Sequence, residues 1–522
     1  MNKLPWQTKL ETLNKRIEAF PKGYRQNVSI LGNDPEETSY LLENYLQTNM
    51  FKEINYIHAT SSYSGEKEFF KSIIFSLLSN YTHLEDTIDN LITYASPVLE
   101  KTTSFIKNCF QKEKFIFLDI LEVINLFITE SNRNCLLIIE EFLDLKDLFK
   151  NVYPEFSNFL VIQRNCMVIL TSSNTKEAEK ILAGELNLLF GNFEKIYLND
   201  NFSLQNYLYL KEKIYPINPS AFFLSYFVNS LGSNIVYYDL IADIIKAKYD
   251  PNNEDESIIN IIKCILYSKT TGLFQKFIKK IDLIKLCLKD YIPILKLLIS
   301  LSQGYLRKRE LLSLNIYNNK ELTSKLQKLV DLNYIENLGN IYKLNDSLFS
   351  FWLSHIFTLY FSPAILSPKL RISIFKKKMI EDIAIQKEEF FKDKLKKVLQ
   401  LFSSFRNDTL QLGKNKYRLP ILNNTKVISY PKNDFHLLIG EGKEIIFAGI
   451  KEKNVDDNDI LDFIEKGSNI KGKRVKKIFI SLDDIPHRVR LIAKNNKLTM
   501  WDLQDVNNLL NIYNKPVVPL NL

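Results

Sequence analysis

The chain is 522 residues long, 46% of them apolar or aromatic, with only 15 glycines and 16 prolines. That is enough for several cored domains and too apolar for disorder, and it excludes collagen-like, linker-like and small disulfide scaffolds. The net charge of +9 is unevenly held: residues 1–290 carry 31 Lys and Arg against 36 Asp and Glu, whereas residues 291–522 carry 38 against 24.

No apolar run reaches the roughly 18 residues of a membrane span, and the longest, Ile292 to Leu301, is broken by Lys296. The N-terminus, with Lys3, Lys9, Lys15 and Arg16, lacks the apolar core of a signal peptide. Cys109, Cys135, Cys166, Cys264 and Cys287 form no C-x-x-C pair, which reads as reduced thiols. The expectation is a soluble cytoplasmic protein with no membrane partner and no histidine-rich metal site.

In chain order, Asn27 to Leu31 reads as a short buried strand, Gly32 to Pro35 as a loop, and Glu36 to Gln47 as a helix with an apolar stripe. Phe51 to Ala59 is a second strand, Lys67 to Leu78 an amphipathic helix, and residues 85–130 are helical. Cys135 to Ile139, Cys166 to Leu170 and Lys195 to Leu198 are further strands. Continuous apolar strands separated by helices predict a parallel sheet covered on both faces.

Residues 201–290 are helical in pattern. Pro293 to Leu301, Arg309 to Leu314 and Lys320 to Leu332 then read as three helices, and Tyr334 to Leu344 as a hairpin turning at Gly339–Asn340. Three helices and a two-stranded wing make a winged helix-turn-helix. A lysine-rich helical connection around 373–400 leads to a small mixed α/β domain. Its strands are Val427 to Tyr430, Phe435 to Ile439, Glu444 to Ile450, Lys476 to Ser481 and Leu498 to Asp502. The predicted domains are therefore 1–200, 201–290, 291–360, 361–410 and 411–522.

A strand, a loop opening on glycine and a helix are the setting of a phosphate-binding loop, which requires G-x-x-x-x-G-K-S/T. Here Gly32 and Ser39 fit, but Glu37 replaces the second glycine and Thr38 the lysine. Asp34, Glu36 and Glu37 stand where a polyphosphate would lie, and like charges at such distances repel by on the order of a few kcal/mol. Downstream, Leu136 to Ile139 runs into Glu140-Glu141, where a working site ends its strand in Asp-Glu. The first acid there holds magnesium through water and the second orients the attacking water. A third strand ends at Thr171-Ser172-Ser173 and offers a polar group to a γ-phosphate. Gly32, Thr38, Ser39, Glu140 and Ser172 are thus the candidate nucleotide-binding residues and Glu141 a vestigial catalytic one. The exchange at Thr38 argues against ATP hydrolysis.

These features resemble the archaeal-type AAA+ ATPases of the P-loop class. The resemblance rests on Val28 to Leu31, Ile138-Ile139-Glu140-Glu141-Phe142 and Met167 to Ser173. It extends to Tyr342-Lys343-Leu344-Asn345-Asp346 running into Phe351-Trp352-Leu353, and to Met500-Trp501-Asp502-Leu503 followed by Asn507 to Tyr513. It implies an α/β multidomain chain: a P-loop NTPase-like sheet, a helical lid, a winged helix and a C-terminal domain resembling PD-(D/E)xK (restriction-endonuclease-like) nucleases. Both active sites depart from the pattern. In the nuclease-like domain Asp434 matches the first acid and Lys451 the lysine, but the glutamate of E-x-K falls on Gly449. Asp434 and Lys451 therefore read as vestigial.

The leucines of Lys320 to Leu332 leave Lys320, Thr323, Ser324 and Gln327 on one outward side, a set suited to phosphates and base edges. Arg307, Lys308 and Arg309 open the preceding helix and are candidate backbone contacts, with Lys376-Lys377-Lys378 a further one. The first reading is a DNA-associated or regulatory protein on a degenerate ATPase scaffold, with duplex DNA as partner. The alternatives are an ATP- and Mg-using enzyme with an atypical loop, with or without a coupled nuclease, and a scaffold that binds only other proteins.

Overall fold

The computed structural model describes residues 7–48, 54–62, 65–187, 192–198, 203–288, 290–361, 367–412, 415–430, 435–468, 470, 474–483 and 485–518. The chain divides into two compact units. The first comprises Met1–Tyr209, Ser233–Asp239 and Asp331–Asn333, and the second the remaining segments through Leu522.

The first unit is built on five parallel strands, β1 (Val28–Leu31), β2 (Ile54–Thr60), β3 (Asn134–Glu140), β4 (Cys166–Ser172) and β5 (Glu194–Tyr197), in the order β2-β3-β4-β1-β5. Val28, Ile30, Leu136, Ile138, Met167 and Ile169 point into one core. Leu137, Ile139, Val168 and Leu170 point into the other, beneath the helices Glu66–Thr82 and Phe117–Ser131. Burial on both faces is why these strands are continuously apolar. The order sets β4 between β1 and β3, so the C-terminal ends of the three motif-bearing strands are neighbours. In open parallel sheets that edge, at the point where strand order reverses, is where ligands sit. This is the P-loop NTPase-like arrangement.

The second unit contains the helices Tyr291–Ser302, Lys308–Ser313 and Asn319–Asp331, then the hairpin of β6 (Ile335–Asn337) and β7 (Tyr342–Leu344). Gly339 has φ +109°, in the left-handed region that glycine tolerates, at the predicted turn. A hairpin that the sequence pattern misses follows, β8 (Asp408–Leu412) and β9 (Asn415–Leu419). The C-terminal sheet has the order β10-β11-β12-β13-β14. Its strands are Leu422–Tyr430, Phe435–Gly442, Ile445–Lys451, Val475–Ser481 and Thr499–Trp501. β10, β11 and β12 pair antiparallel, and β12, β13 and β14 parallel.

One core joins the β6–β7 hairpin to this domain: Leu306, Leu338 and Ile341 pack with Phe402, Phe405, Leu410, Leu438, Ile478 and Trp501. These side chains lie on both sides of residue 410 in the sequence. Among the described residues no helix is long and apolar enough to cross a membrane.

Candidate functional site

The phosphate-loop segment closes far sooner than a phosphate cradle would. Pro35 begins a helix that runs to Thr48, so only Gly32, Asn33 and Asp34 separate strand from helix. Pro35 has no amide hydrogen to lose at the first helical position. Asp34 caps the helix, its Oδ1 accepting from the amide of Glu36 at 3.0 Å. The amide of Thr38 is spent on the Asp34 carbonyl at 3.3 Å. Thr38 itself is fully buried, and its hydroxyl donates to the Pro35 carbonyl at 2.9 Å. Gly32 is held from both sides: its amide donates to the Ser172 carbonyl at 3.0 Å, and its own carbonyl accepts from the Thr175 hydroxyl at 2.9 Å.

The carboxylates of this helix start are occupied from within the unit. Asp34 Oδ2 accepts from Asn234 Nδ2 at 2.9 Å and faces the Tyr237 hydroxyl at 3.4 Å. Glu37 Oε1 accepts from the Ile235 amide at 3.4 Å. Asp239 accepts from the hydroxyls of both Tyr40 and Tyr209. Asp34 and Glu37 are 5% and 7% exposed, a depth at which a carboxylate persists only with such partners. A helix N-terminus is an anion site, and here the protein's own Asp34 supplies the anion.

The acids at the end of β3 are also engaged. Glu140 accepts from the Ser39 hydroxyl and meets His58 Nε2 at 2.5 Å. Burial would raise the Glu140 carboxyl, but the His58 and Ser39 hydrogen bonds outweigh it and hold it below the ordinary value. Because the carboxylate lies between histidine and serine, His58 does not touch the hydroxyl, and the trio lacks the order of a nucleophilic triad. Glu141 has φ +51°, and its Oε2 accepts from the amide and hydroxyl of Ser173 at 3.1 and 2.8 Å. Its Oε1 is buried without a hydrogen-bond partner. Burial pushes the Glu141 carboxyl up against the pull of Ser173, and nearby Asp144 and Glu140 add to the rise.

The structure brings Gly32, Ser39, Glu140, Glu141 and Ser172 to the same sheet edge but corrects the part played by Ser172. That side chain is fully buried and accepts from the Asn174 amide at 3.0 Å, and it is Ser173 that reaches Glu141. Thr171, in the same polar strand end, accepts from the Glu141 amide on its hydroxyl oxygen at 3.2 Å. A nucleotide polyphosphate with magnesium does not fit these residues. The loop is short, the lysine position is a buried threonine, the helix-end amides serve Asp34, and Ser39 touches Glu140 directly where a cation would stand between them.

In the C-terminal domain, Asp434 lies outside the described residues. Lys451 Nζ is bound by Asp459 Oδ1 at 2.9 Å. At Gly449 a Cβ would stand 2.7 Å from a ring carbon of Phe463 and 3.1 Å from one of Phe479. Phe463 in turn stacks on Phe447 with centroids 4.7 Å apart. Aromatic packing thus fills the space that a metal-binding glutamate would need. Among the described residues no cluster of three or more His, Cys, Asp or Glu side chains is placed to hold a metal.

On the Asn319–Asp331 helix, Leu322, Leu326, Leu329 and Val330 are buried, while Lys320, Thr323, Ser324, Gln327 and Lys328 are exposed. Burial of four apolar side chains at about 1.5–3 kcal/mol each fixes which side faces out. The preceding helix departs from expectation. Arg307 is turned inward, with Nε and Nη2 on Asp408 at 2.7 and 2.8 Å, Nη1 on Glu310 at 2.7 Å and Nη2 on the Ser404 carbonyl at 2.9 Å. Its side chain is 11% exposed and that of Asp408 fully buried, so it is a structural ion pair and not a surface contact. Lys308 is half-buried and Arg309 exposed, its Nη2 donating to the Arg406 carbonyl at 3.2 Å. Lys376 pairs with Glu256 at 3.0 Å, while Lys377 is 81% exposed.

The β6–β7 hairpin is closed off at its tip. Asn340 donates its amide to the Thr409 carbonyl at 3.1 Å and accepts the Thr409 amide on Oδ1 at 3.0 Å, and Gln411 donates to the Leu338 carbonyl at 2.9 Å. Lys343, the one cation of residues 335–344, donates to the carbonyl and side-chain oxygens of Asn511 at 2.9 and 2.6 Å.

No family model matches the sequence, and no curated protein does. Among solved structures the chain is similar to the Walker-type ATPase PABY2304 of Pyrococcus abyssi. The identity is 14% over 67% of this chain and 95% of that one, with a TM-score of 0.47. It is similar to the ORC2 protein of Aeropyrum pernix in ADPNP and ADP complexes, at 13% identity over 73% and 97%, with a TM-score of 0.38. It is also similar to the Aeropyrum pernix ORC1 protein in complex with DNA, at 8% identity over 67% and 92%, with a TM-score of 0.33. The fold assignment rests on strand order and not on these likenesses.

Proposed function

We propose that this chain is a duplex-DNA-associated scaffold on a degenerate AAA+ framework, working without nucleotide turnover. In this reading residues 1–200 form the ATPase-like domain, 201–290 the lid, 291–360 the winged helix and 411–522 a nuclease-like domain that has lost its acid. The observation that carries the DNA assignment is the outward side of the Asn319–Asp331 helix. Lys320, Thr323, Ser324 and Gln327 stand exposed there on a helix whose opposite side is anchored by four buried apolar residues. Such a helix offers hydroxyl and amide groups to base edges and a cation to phosphate. The excess of Lys and Arg in residues 291–522 supports the same partner.

Fluorescence anisotropy of the full chain with a labelled duplex tests this. Binding that weakens steeply between about 50 and 200 mM salt, and weakens further in Lys320→Ala/Gln327→Ala, is the expected result. No binding at the lower salt, or binding indifferent to salt, removes the DNA reading. Isothermal titration with ATP and magnesium is expected to give no heat of binding, and micromolar binding would revive the enzyme.

A further inference from the structure

The end of the C-terminal sheet opposite Lys451 carries a second cationic surface. β12 and β13 both start there, and the Ile445 amide donates to the Arg474 carbonyl at 2.9 Å, tying the two starts together. Glu444, just before β12, lies between two arginines: Arg418 Nη1 from β9 and Arg474 Nη1 each stand 3.7 Å from its Oε1. The two guanidinium side chains are 69% and 75% exposed, while Glu444 is 15% exposed. Lys476 Nζ donates to the Arg418 carbonyl at 3.1 Å, and Lys416 and Lys443 are exposed close by in sequence. The acids here are Glu444 and the exposed Glu441, so the cations prevail. One carboxylate shared by two guanidinium groups orients both and engages few of their N–H donors, of which each has five.

The position of this cluster indicates its partner. In the β8–β9 hairpin Arg418 pairs with Thr409, and Thr409 is the residue on which the wing tip is fastened through Asn340. The wing keeps no cation for a phosphate, because Lys343 is committed to Asn511. Arg418 thus stands on an element hydrogen-bonded to the wing.

We infer that Arg418, Arg474 and Lys476 around Glu444 form a second phosphate-backbone contact for duplex DNA, doing from the β8–β9 hairpin and the sheet end what the wing does not. This rests on the DNA reading above. A charge-only contact of this kind adds affinity and salt dependence but no sequence preference.

The test is duplex binding by the full chain across a salt series. Each phosphate contact contributes about −0.9 to the slope of log affinity against log salt. Arg418→Ala/Arg474→Ala is expected to make the slope shallower by about 2 and to lower affinity about tenfold or more. Arg418→Lys/Arg474→Lys keeps the slope, and Glu444→Gln binds a few-fold more tightly. If the alanine pair binds as the wild type does while Lys320→Ala/Gln327→Ala weakens binding, the second contact falls and the helix reading stands. If the wild-type chain does not bind duplex, both fall. Should the alanine pair not fold, Glu444→Gln decides, and unchanged affinity there overturns the inference.

Discussion

Glu141, just past the end of β3, divides its carboxylate between two environments. One carboxylate oxygen takes two hydrogen bonds from Ser173 and the other is buried with none. Its carboxyl is raised in the folded chain, so the fold favours the protonated form. The contribution of Glu141 to stability is therefore present at low pH and lost as pH rises through the folded value. Glu141→Gln keeps the acceptor for Ser173 and removes the charge. It is expected to stabilise the protein at pH 7 by about 1 kcal/mol and to flatten the fall in stability between acid and neutral pH, both measurable by urea melts. The acids at this edge were legible because Leu136 to Ile139 leads straight into them. Whether Ser172 or Ser173 meets Glu141 depends on where β4 ends, and one residue of register changes the face. The inward turn of Arg307 was invisible because its partner Asp408 lies 101 residues downstream.

At the scale of elements, the parallel strands and the β6–β7 hairpin announce themselves, the former by uninterrupted apolar runs and the latter by Gly339–Asn340 between two alternating segments. The β8–β9 hairpin does not. Asp408–Leu412 and Asn415–Leu419 are short and mostly polar, and they gain their place by pairing with each other and with the wing tip. The N-terminal half of β10, Asn423 to Lys426, is hidden for the same reason, being exposed on the edge of its sheet. The fastening of wing to hairpin leaves little room. A Cβ on Gly339 would fall 2.0 Å from the Thr409 carbonyl oxygen at a φ of +109°. Gly339→Ala should cost about 2 kcal/mol or more. Asn340→Ala, which loses the bond to the Thr409 amide but clashes with nothing, should cost about 1 kcal/mol. Denaturant unfolding of the two variants checks the order, and equal costs would contradict the close approach.

For the molecule as a whole, two lysines of the second unit set a pH dependence. Burial lowers Lys343 and Lys397 to about 8 each. Lys397 donates to the carbonyls of Phe390 and Val517 at 3.1 and 3.2 Å, as Lys343 does to Asn511. Both values lie below that of an unfolded lysine, about 10.4, so the folded chain penalises the charged form. Stability should rise as pH climbs from about 8 towards about 10. Urea midpoints at pH 7.0 and 9.5 check this, with a lower midpoint at the higher pH as the contrary result. The shared core of Leu306, Leu338 and Ile341 with the C-terminal sheet means that wing and sheet should lose their structure in one transition.

The short turn after β1 has a consequence for the helix that follows it. A helix end that carries its own counter-ion in Asp34, clasped by Asn234 and Tyr237, has its partial charge answered from inside the unit. On the reading proposed above, such a clasp would hold one posture whatever the concentration of nucleotide around it.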